Sequence, residues 1–395
     1  MSSQNTNILD GQWIVRLRPF ASAQVQAEHV SSLQSLTADE NTAFNCQVQQ
    51  QFELPEFRGY SATFTQETKT EIEQMSEVLA VEPVQIYTHC KLVTQTNAPW
   101  GLQRVSASGK VGSSPFTYKY DDNAAGEGVI AYVIDTGINE THVEFGGRAS
   151  KGPKFVKEWI AQGKTVSDED KDGHGTHCAG TIGSAAYGVA KKVKIIGIKV
   201  FNDDASPGAT NADIIAAIQY VVSEYKRHGK KSVINLSLGG GPSPDLDLAV
   251  AAAVRSGVVV CVAAGNDDKP AQVGSPAREP LAITVGATAI DEKLPQFSNY
   301  GKIVDILAPG VDILSCWTGS TTATETISGT SMATPHVAGV ICSLLSNSAL
   351  KNVATTEIMS QVLIQADKNT LTSLNKRDDK LAQKTINAVV QVHNL

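Results

Sequence analysis

No stretch of the 395-residue sequence approaches the roughly 18 consecutive apolar residues that a bilayer-spanning helix needs, so no membrane span is expected. The first ten residues, MSSQNTNILD, have neither a charged n-region nor an apolar h-region, and no secretory leader is read from them. The cysteines Cys46, Cys90, Cys178, Cys261, Cys316 and Cys342 form no CxxC pair, which argues against a zinc ribbon or a thioredoxin-like redox centre. A net charge of -7 gives no support to nucleic-acid binding. There is no HExxH, and the glycine run Gly239-Gly240-Gly241 lacks the Lys-Ser/Thr of a phosphate-binding loop. One Asp-Thr-Gly occurs, where an aspartic protease needs two such carboxylates.

What is present is a chain long enough for two domains, 42% hydrophobic and 18% charged, with 32 glycines for tight turns. Residues 1–92 hold 5 Lys and Arg against 11 Asp and Glu, so most of the acidic excess belongs to the N-terminal part and the chain is composite. That part reads as strand (Trp13–Leu17), helix (Ser22–Leu36), strands (Phe44–Leu54 and Gly59–Phe64), helix, and strand (Val84–Tyr87). The second helix opens at Thr65 and Glu67, with Ile72, Met75, Val78 and Leu79 on one face. The order β-α-β-β-α-β is the ferredoxin-like split arrangement, an α+β fold. Residues Lys91–Trp100 lack apolar periodicity and read as an exposed linker, open to a processing cut.

From about residue 93 strands and helices alternate. Gly128–Ile134, Lys194–Val200, Val233–Leu238, Gly257–Val262, Ala282–Gly286 and Ile303–Leu307 are apolar runs of the kind buried on both faces of a parallel sheet. Helices are expected at Asn211–Tyr225 and Asp245–Ser256. The architecture expected is α/β: a doubly wound, mostly parallel sheet with helices on both faces.

Four positions could carry chemistry. Asp135 follows the first buried run, at the strand end where open α/β sheets place their sites. Read alone it is an ordinary turn aspartate. His174 stands between two glycines; a general base needs a neutral imidazole held by a carboxylate. His177, three residues on, reads as a structural histidine. Asn266 ends Ala263-Ala264-Gly265-Asn266 and offers an amide N–H beside a space left by small residues. Ser331 lies where SGTSMATPHVAG turns from loop into an apolar helix, so its hydroxyl sits beside unpaired N–H groups. A lone serine there is usually only a helix cap.

Together, VIDTG, GHGTHCAGT, the SLGGG run, AAGN and SGTSMATPHVAG, in this order, resemble the subtilisin-like serine proteases, most closely the proteinase K group. QTNAPWGL, YGVAKK and FSNYG add to the likeness, which spans nearly the whole chain. The resemblance implies a serine endopeptidase zymogen of broad, apolar-leaning specificity acting on protein and peptide substrates. Ser331 would be the nucleophile, His174 the base and then the acid, Asp135 the orienter of His174, and Asn266 with the Ser331 N–H the oxyanion hole. Ser237, Leu238 and Gly239 would pair with the substrate backbone, with Ser206, Pro207 and Gly208 on its other side. Ala263, Ala264 and Gly265 would line the S1 pocket. Cys178 matches a buried thiol beside the catalytic histidine and reads as core packing.

Residues 1–92 are similar to I9-type inhibitory propeptides, a partner in cis that is cut off near Leu92 and leaves a catalytic domain of residues 93–395. No cofactor is needed for the chemistry. A structural calcium ion is implied at the carbonyls of Pro280 and Ala282 and the carboxylate of Asp305. The chain departs from the group at Thr210, where a tyrosine usually lines S4, and at Ile283, where a bridging cysteine usually stands; a different cysteine pairing, or none, follows. A monomer is expected, secreted or vacuolar by family, although the first residues leave an intracellular site open.

Overall fold

The computed structural model describes residues 8–38, 43–86, 92–163, 166–204, 206, 208–347, 353–371 and 385–392. The chain divides into two units, Met1–His89 and Cys90–Leu395.

The first unit runs β1 (Ile8–Leu17), α1 (Ala23–Ala38), β2 (Cys46–Leu54), β3 (Phe57–Phe64), α2 (Gln66–Glu73) and β4 (Val78–Gln85). Its sheet has the order β2-β3-β1-β4 with all neighbours antiparallel, as a ferredoxin-like unit requires. Val15 and Leu17 of β1, Tyr60, Ala62 and Phe64 of β3, and Val30, Leu33 and Ile72 of the helices form its core. Thr65 caps α2 by accepting the Thr68 N–H, with Glu67 favourable in the first turn. The helix stops earlier than its apolar spacing suggests. Val78 and Leu79 belong to β4, because β1 offers a ladder there: Val78 pairs with Leu17 and Val81 with Val15. β4 ends at Gln85, and Tyr87 lies outside the described residues.

The second unit begins with β5 (Leu92–Ala98), α3 (Trp100–Ser106), β6 (Phe116–Asp121), β7 (Ile130–Asp135), β8 (Ala149–Lys154) and α4 (Lys157–Ala161). It continues with α5 (His174–Gly183), β9 (Lys194–Lys199), α6 (Asn211–His228), β10 (Ser232–Leu236), α7 (Pro244–Arg255), β11 (Val259–Ala263) and β12 (Ile283–Thr288). It closes with β13 (Ile306–Pro309), β14 (Ile313–Cys316), β15 (Thr324–Ile327), α8 (Thr330–Ser346), α9 (Ile358–Gln365), β16 (Asp367–Lys368) and β17 (Ala388–Val389). The central sheet has the order β16-β17-β13-β12-β11-β10-β7-β9-β8, with every neighbouring pair parallel except β16 and β17.

The period of two along each strand explains the continuous apolar runs. In β7, Ile130, Tyr132 and Ile134 pack against α6 and α7, while Ala131 and Val133 face α5 and α8 on the other side. α8 is buried along nearly its whole length, which is why it is apolar all round. Among the described residues no helix is long and apolar enough to cross a membrane.

Two further expectations are corrected. Residues 92–98 are a strand rather than a linker: β5 pairs antiparallel with β6 from Leu92↔Asp121 to Ala98↔Phe116. Backbone pairing supplies what its small polar side chains do not advertise, and Gln95 Nε2 donates to the Ala186 carbonyl at 2.8 Å. The strand expected over Ile303–Leu307 begins only at Ile306, since Val304 closes a turn onto the Gly301 carbonyl. The five described cysteines, Cys46, Cys178, Cys261, Cys316 and Cys342, are free and buried.

Candidate active site

Because β7, β10 and β11 are adjacent and parallel, their carboxyl ends leave the sheet along one edge. Asp135 ends β7, Ser237 to Gly239 follow β10, and Ala263 closes β11 just before Asn266. The sheet therefore gathers residues that lie far apart in sequence.

Asp135 is completely buried. Its Oδ1 accepts the Thr136 N–H at 2.7 Å and lies 2.8 Å from His174 Nδ1. Among the described residues its Oδ2 has no hydrogen-bond partner. His174 is the first residue of α5, held there by Gly173, whose φ of 105° favours glycine. Trp317 lies against that glycine so closely that a Cβ would come within 2.5 Å of the indole ring. The His174 N–H bonds Asp172 at 3.0 Å. Burial disfavours the charged imidazole, but the charge and hydrogen bond of Asp135, with Asp172 and Asp170 adding, outweigh it and lift the His174 pKa to about 8. Neighbouring His177 is the opposite case. Burial pulls its pKa down to about 4, and its Nε2 meets the Ile313 carbonyl at 2.9 Å, so it stays neutral.

Ser331 is the second residue of α8, among its unpaired N–H groups. Its hydroxyl donates to the Ser237 carbonyl at 3.2 Å. Its own carbonyl accepts from Ser237 Oγ at 2.8 Å and from Cys178 Sγ at 3.5 Å. Cys178 also links this serine to the other pair, since its sulfur lies within 4.8 Å of ligand atoms of both Asp135 and His174. Asn266 Oδ1 accepts two bonds from Thr330, from N–H at 2.8 Å and from Oγ1 at 2.9 Å. With its oxygen so fixed, the amide leaves Nδ2 as a donor, and Nδ2 and the Ser331 N–H both lie beside Gly329, 3.3 and 3.6 Å from where a Cβ there would sit. An acyl oxygen placed there would meet two donors at a helix N-terminus, the setting that stabilises an oxyanion.

Two cavities flank the segment after β10. One of about 420 Å³ is lined by Leu238 to Gly241, Ala263, Ala264, Gly265, Asn266 and Ser331. The other, of about 460 Å³, shares Leu238 to Gly241 and adds Gly208, Ile214 and Phe201. Among the described residues the backbones of Leu238 and Gly239 carry no hydrogen bond, whereas Gly240 is tied to Ser275 at 3.0 Å. An extended peptide thus finds free backbone groups with a hollow on each side. Ser206 lies in the loop before Gly208 with its carbonyl taken by Asn202 at 2.8 Å, and Pro207 lies outside the described residues. Thr210 caps α6 by accepting the Asp213 N–H. Phe201, which the sequence reading did not single out, is the aromatic wall of the second cavity.

Pro280, Ala282 and Asp305 meet at a third, small cavity of about 90 Å³. The Asp305 carboxylate accepts the Thr284 N–H at 2.8 Å, yet burial pushes its pKa up to about 6. This half-buried carboxylate has no ion pair among the described residues, and an oxygen donor lining a small hollow with Pro280 and Ala282 is of the chemical type that suits a hard divalent ion such as calcium.

Sequence reasoning also missed Asp170, Lys199 and Trp317. Lys199 is buried, and its Nζ holds the Thr136 carbonyl at 2.7 Å. Its one signal was a charged residue ending an apolar strand.

Comparison with known proteins shows the family. The family described as the subtilase family matches residues 126–385, and the peptidase inhibitor I9 family matches residues 12–89. The subtilase-type proteinase isp6 of Schizosaccharomyces pombe is 46% identical over 354 residues, covering 86% of this chain and 74% of the relative. Alkaline protease 1 of Emericella nidulans is 42% identical over 337 residues, covering 85% and 79%. The crystal structure of a cold adapted subtilisin-like serine proteinase superposes with a TM-score of 0.65 at 38% identity, covering 75% of this chain and 99% of that one.

Proposed function

The chain belongs to the subtilase family and is a serine endopeptidase that carries an inhibitor I9 propeptide domain, and we propose that it cleaves peptide bonds through Asp135, His174 and Ser331. The observation that carries this reading is the 2.8 Å contact between His174 Nδ1 and the fully buried Asp135 carboxylate. It fixes the tautomer that leaves Nε2 free to take a proton.

The substrate lies extended along Leu238 and Gly239, its backbone pairing with theirs. The side chain before the scissile bond enters the cavity lined by Ala263, Ala264 and Gly265, whose small residues favour apolar groups with little discrimination. A residue further upstream meets the cavity walled by Phe201 and Gly208. Ser331 Oγ leaves its contact with the Ser237 carbonyl and attacks the peptide carbonyl, while its proton passes to His174 Nε2. The Asn266 amide and the Ser331 N–H stabilise the oxyanion. The imidazolium then protonates the leaving amine, and an acyl-enzyme remains on Ser331. Water, deprotonated by His174, attacks that ester, the proton returns to Ser331 Oγ, and the acid is released.

We further propose that residues 1–92 act in cis as inhibitor and folding aid, and that the chain cuts itself near Leu92 into a monomeric catalytic domain of residues 93–395. By likeness to its relatives we assign it to a secreted or vacuolar setting. Pro280, Ala282 and Asp305 would hold a calcium ion, which supplies positive charge to a half-buried carboxylate and takes no part in bond breaking.

The test compares wild type with Ser331→Ala on casein and on a serine-directed phosphonate. Wild type is expected to clear casein, to bind the phosphonate and to lose its N-terminal unit. Ser331→Ala should do none of these and stay full length. Trimming of the variant in a protease-free preparation would refute self-cleavage. An inert wild type would point to a peptide-binding protein without activity.

A further inference from the structure

Asp170 is a second buried carboxylate next to the proposed triad, and the mechanism above gives it no task. It is 2% exposed. Its Oδ1 accepts from Thr136 Oγ1 at 2.8 Å and from the Gly173 N–H at 2.9 Å. Its Oδ2 accepts from the Thr176 N–H at 3.0 Å and from Thr176 Oγ1 at 2.6 Å. Four donors converge on one side chain, and only an acceptor-only group can satisfy them all. The donors are not a random set. Thr136 directly follows Asp135, while Gly173 and Thr176 bracket His174.

The two threonines close the link in both directions. Thr136 Oγ1, having donated to Asp170, accepts the Gly175 N–H at 2.9 Å. Thr176 Oγ1 likewise accepts the Asn139 N–H at 2.9 Å. The carboxyl end of β7 and the first turn of α5 are therefore joined through one carboxylate. The approach is so close that a Cβ on Gly137 would lie 3.2 Å from the Asp170 backbone. From the outer side Thr318 Oγ1 holds the Asp170 carbonyl at 2.6 Å.

We propose that Asp170 is a positioning residue for the proteolytic reaction: it sets the distance and angle between Asp135 and His174 by holding the residues next to both. This rests on the triad reading above. Its carboxylate also adds to the negative charge around the His174 ring, after Asp135 from β7 and exposed Asp172 from the same loop, while His177 and Cys178 follow on the next turn of α5. Asp170 thus favours the protonated ring without touching substrate.

The experiment uses the full chain, with active sites counted by phosphonate labelling and kcat, KM and pH profiles measured on a small chromogenic peptide. Asp170→Asn keeps the shape but removes the charge and turns an N–H group toward donors. A kcat lower by about tenfold or more at nearly unchanged KM is expected, since small misplacements of reacting groups are costly. The acid limb of kcat/KM should move to lower pH. Thr136→Val removes one donor while the Asp170 charge stays, so kcat should fall; Thr136→Ser should restore kcat. Should Asp170→Asn fail to fold, the Thr136 pair decides. A folded Asp170→Asn with wild-type kcat and acid limb, or equal kcat in the two Thr136 variants, overturns the proposal. A wild type without activity would instead refute the triad reading itself.

Discussion

Acidification should silence this enzyme through a single group. In the proposed mechanism His174 must be neutral to accept the Ser331 proton, and its surroundings, burial opposing and Asp135 prevailing with help from Asp172 and Asp170, put its pKa at about 8. A base with that pKa is half available at about pH 8, about one-tenth available one unit lower and about one-hundredth two units lower. The profile of kcat/KM on a small peptide should therefore fall about tenfold per unit below pH 8, an acid limb well above the ordinary histidine value of about 6.5. Stability should run the other way. A folded-state pKa raised above the unfolded one contributes stability that is fully present below about pH 6.5 and is lost as pH rises through 8, at most about 2 kcal/mol for this partly exposed ring. The catalytic form is thus the less stable form.

Asp172→Asn is the informative perturbation. Asp172 is exposed, and the oxygen that accepts the His174 N–H survives in asparagine, so charge is removed with little change of shape. The acid limb should shift to lower pH. Salt should shift the wild-type limb the same way, because an exposed charge is screened, and should act less on the variant. The assay is kcat/KM against pH, with alkylation of His174 by a peptide chloromethyl ketone as a direct probe of the neutral ring. An acid limb near 6.5 in wild type, or one that ignores both the substitution and salt, would refute the reasoning.

Removing Arg104 should destabilise the second unit by about 3–5 kcal/mol, because it breaks a buried ion pair by taking away one partner. Arg104 and Glu292 are 1% and 2% exposed and meet at 2.6 Å, with Asp367 at 3.1 Å. Chemical denaturation of Arg104→Ala in a Ser331→Ala background, which prevents self-digestion, measures this, and a loss under about 1 kcal/mol would contradict it. Chelation of calcium should lower the melting temperature at pH 8, and Asp305→Asn should abolish that response. Without calcium, the raised pKa of Asp305, about 6, means that this group loses stability as pH rises from about 4 to 6. Bound calcium should remove that loss, which differential scanning calorimetry at pH 5 and 8 can test.

Much of the second unit was legible because strands buried on both faces give apolar runs that few other structures produce. β7 and β10 needed no further clue. Asp135, His174 and Ser331 stood out because each lies in a motif whose small neighbours and spacing are specific. The remainder depended on partners remote in sequence. Asp170 sits among Asp168, Glu169 and Asp172 in a polar loop, and nothing local says which carboxylate turns inward. Its donors from Thr136 and Thr318 come from other parts of the fold. β5 was hidden for the same reason: its order comes from β6, not from its own side chains. α2 was overextended because Val78 satisfies a helical spacing and a strand equally, and β1 decides between them.

The same non-local logic explains why Ser331 is more than a helix cap. Pro335 lies four residues after it inside α8. Proline has no N–H, so the helix cannot satisfy the Ser331 carbonyl, and its ring crowds that oxygen outward. In a helix interior this costs about 3 kcal/mol, and an apolar helix gains nothing from it by packing alone. Here the freed carbonyl accepts Ser237 Oγ at 2.8 Å, and Asn235 Nδ2 holds that hydroxyl in turn at 2.9 Å. Ser237 also receives the Ser331 hydroxyl on its own carbonyl. The serine is thereby pinned at both ends to the chain that leaves β10, the stretch whose next two residues have free backbone groups. A peptide that pairs with Leu238 and Gly239 is placed relative to Ser331 by that joint alone, whatever its side chains. The proposed broad specificity and the placement of the proposed nucleophile would then have one structural origin, and Pro335→Ala, which restores a helical donor and weakens the joint, should reduce kcat on long and short substrates alike.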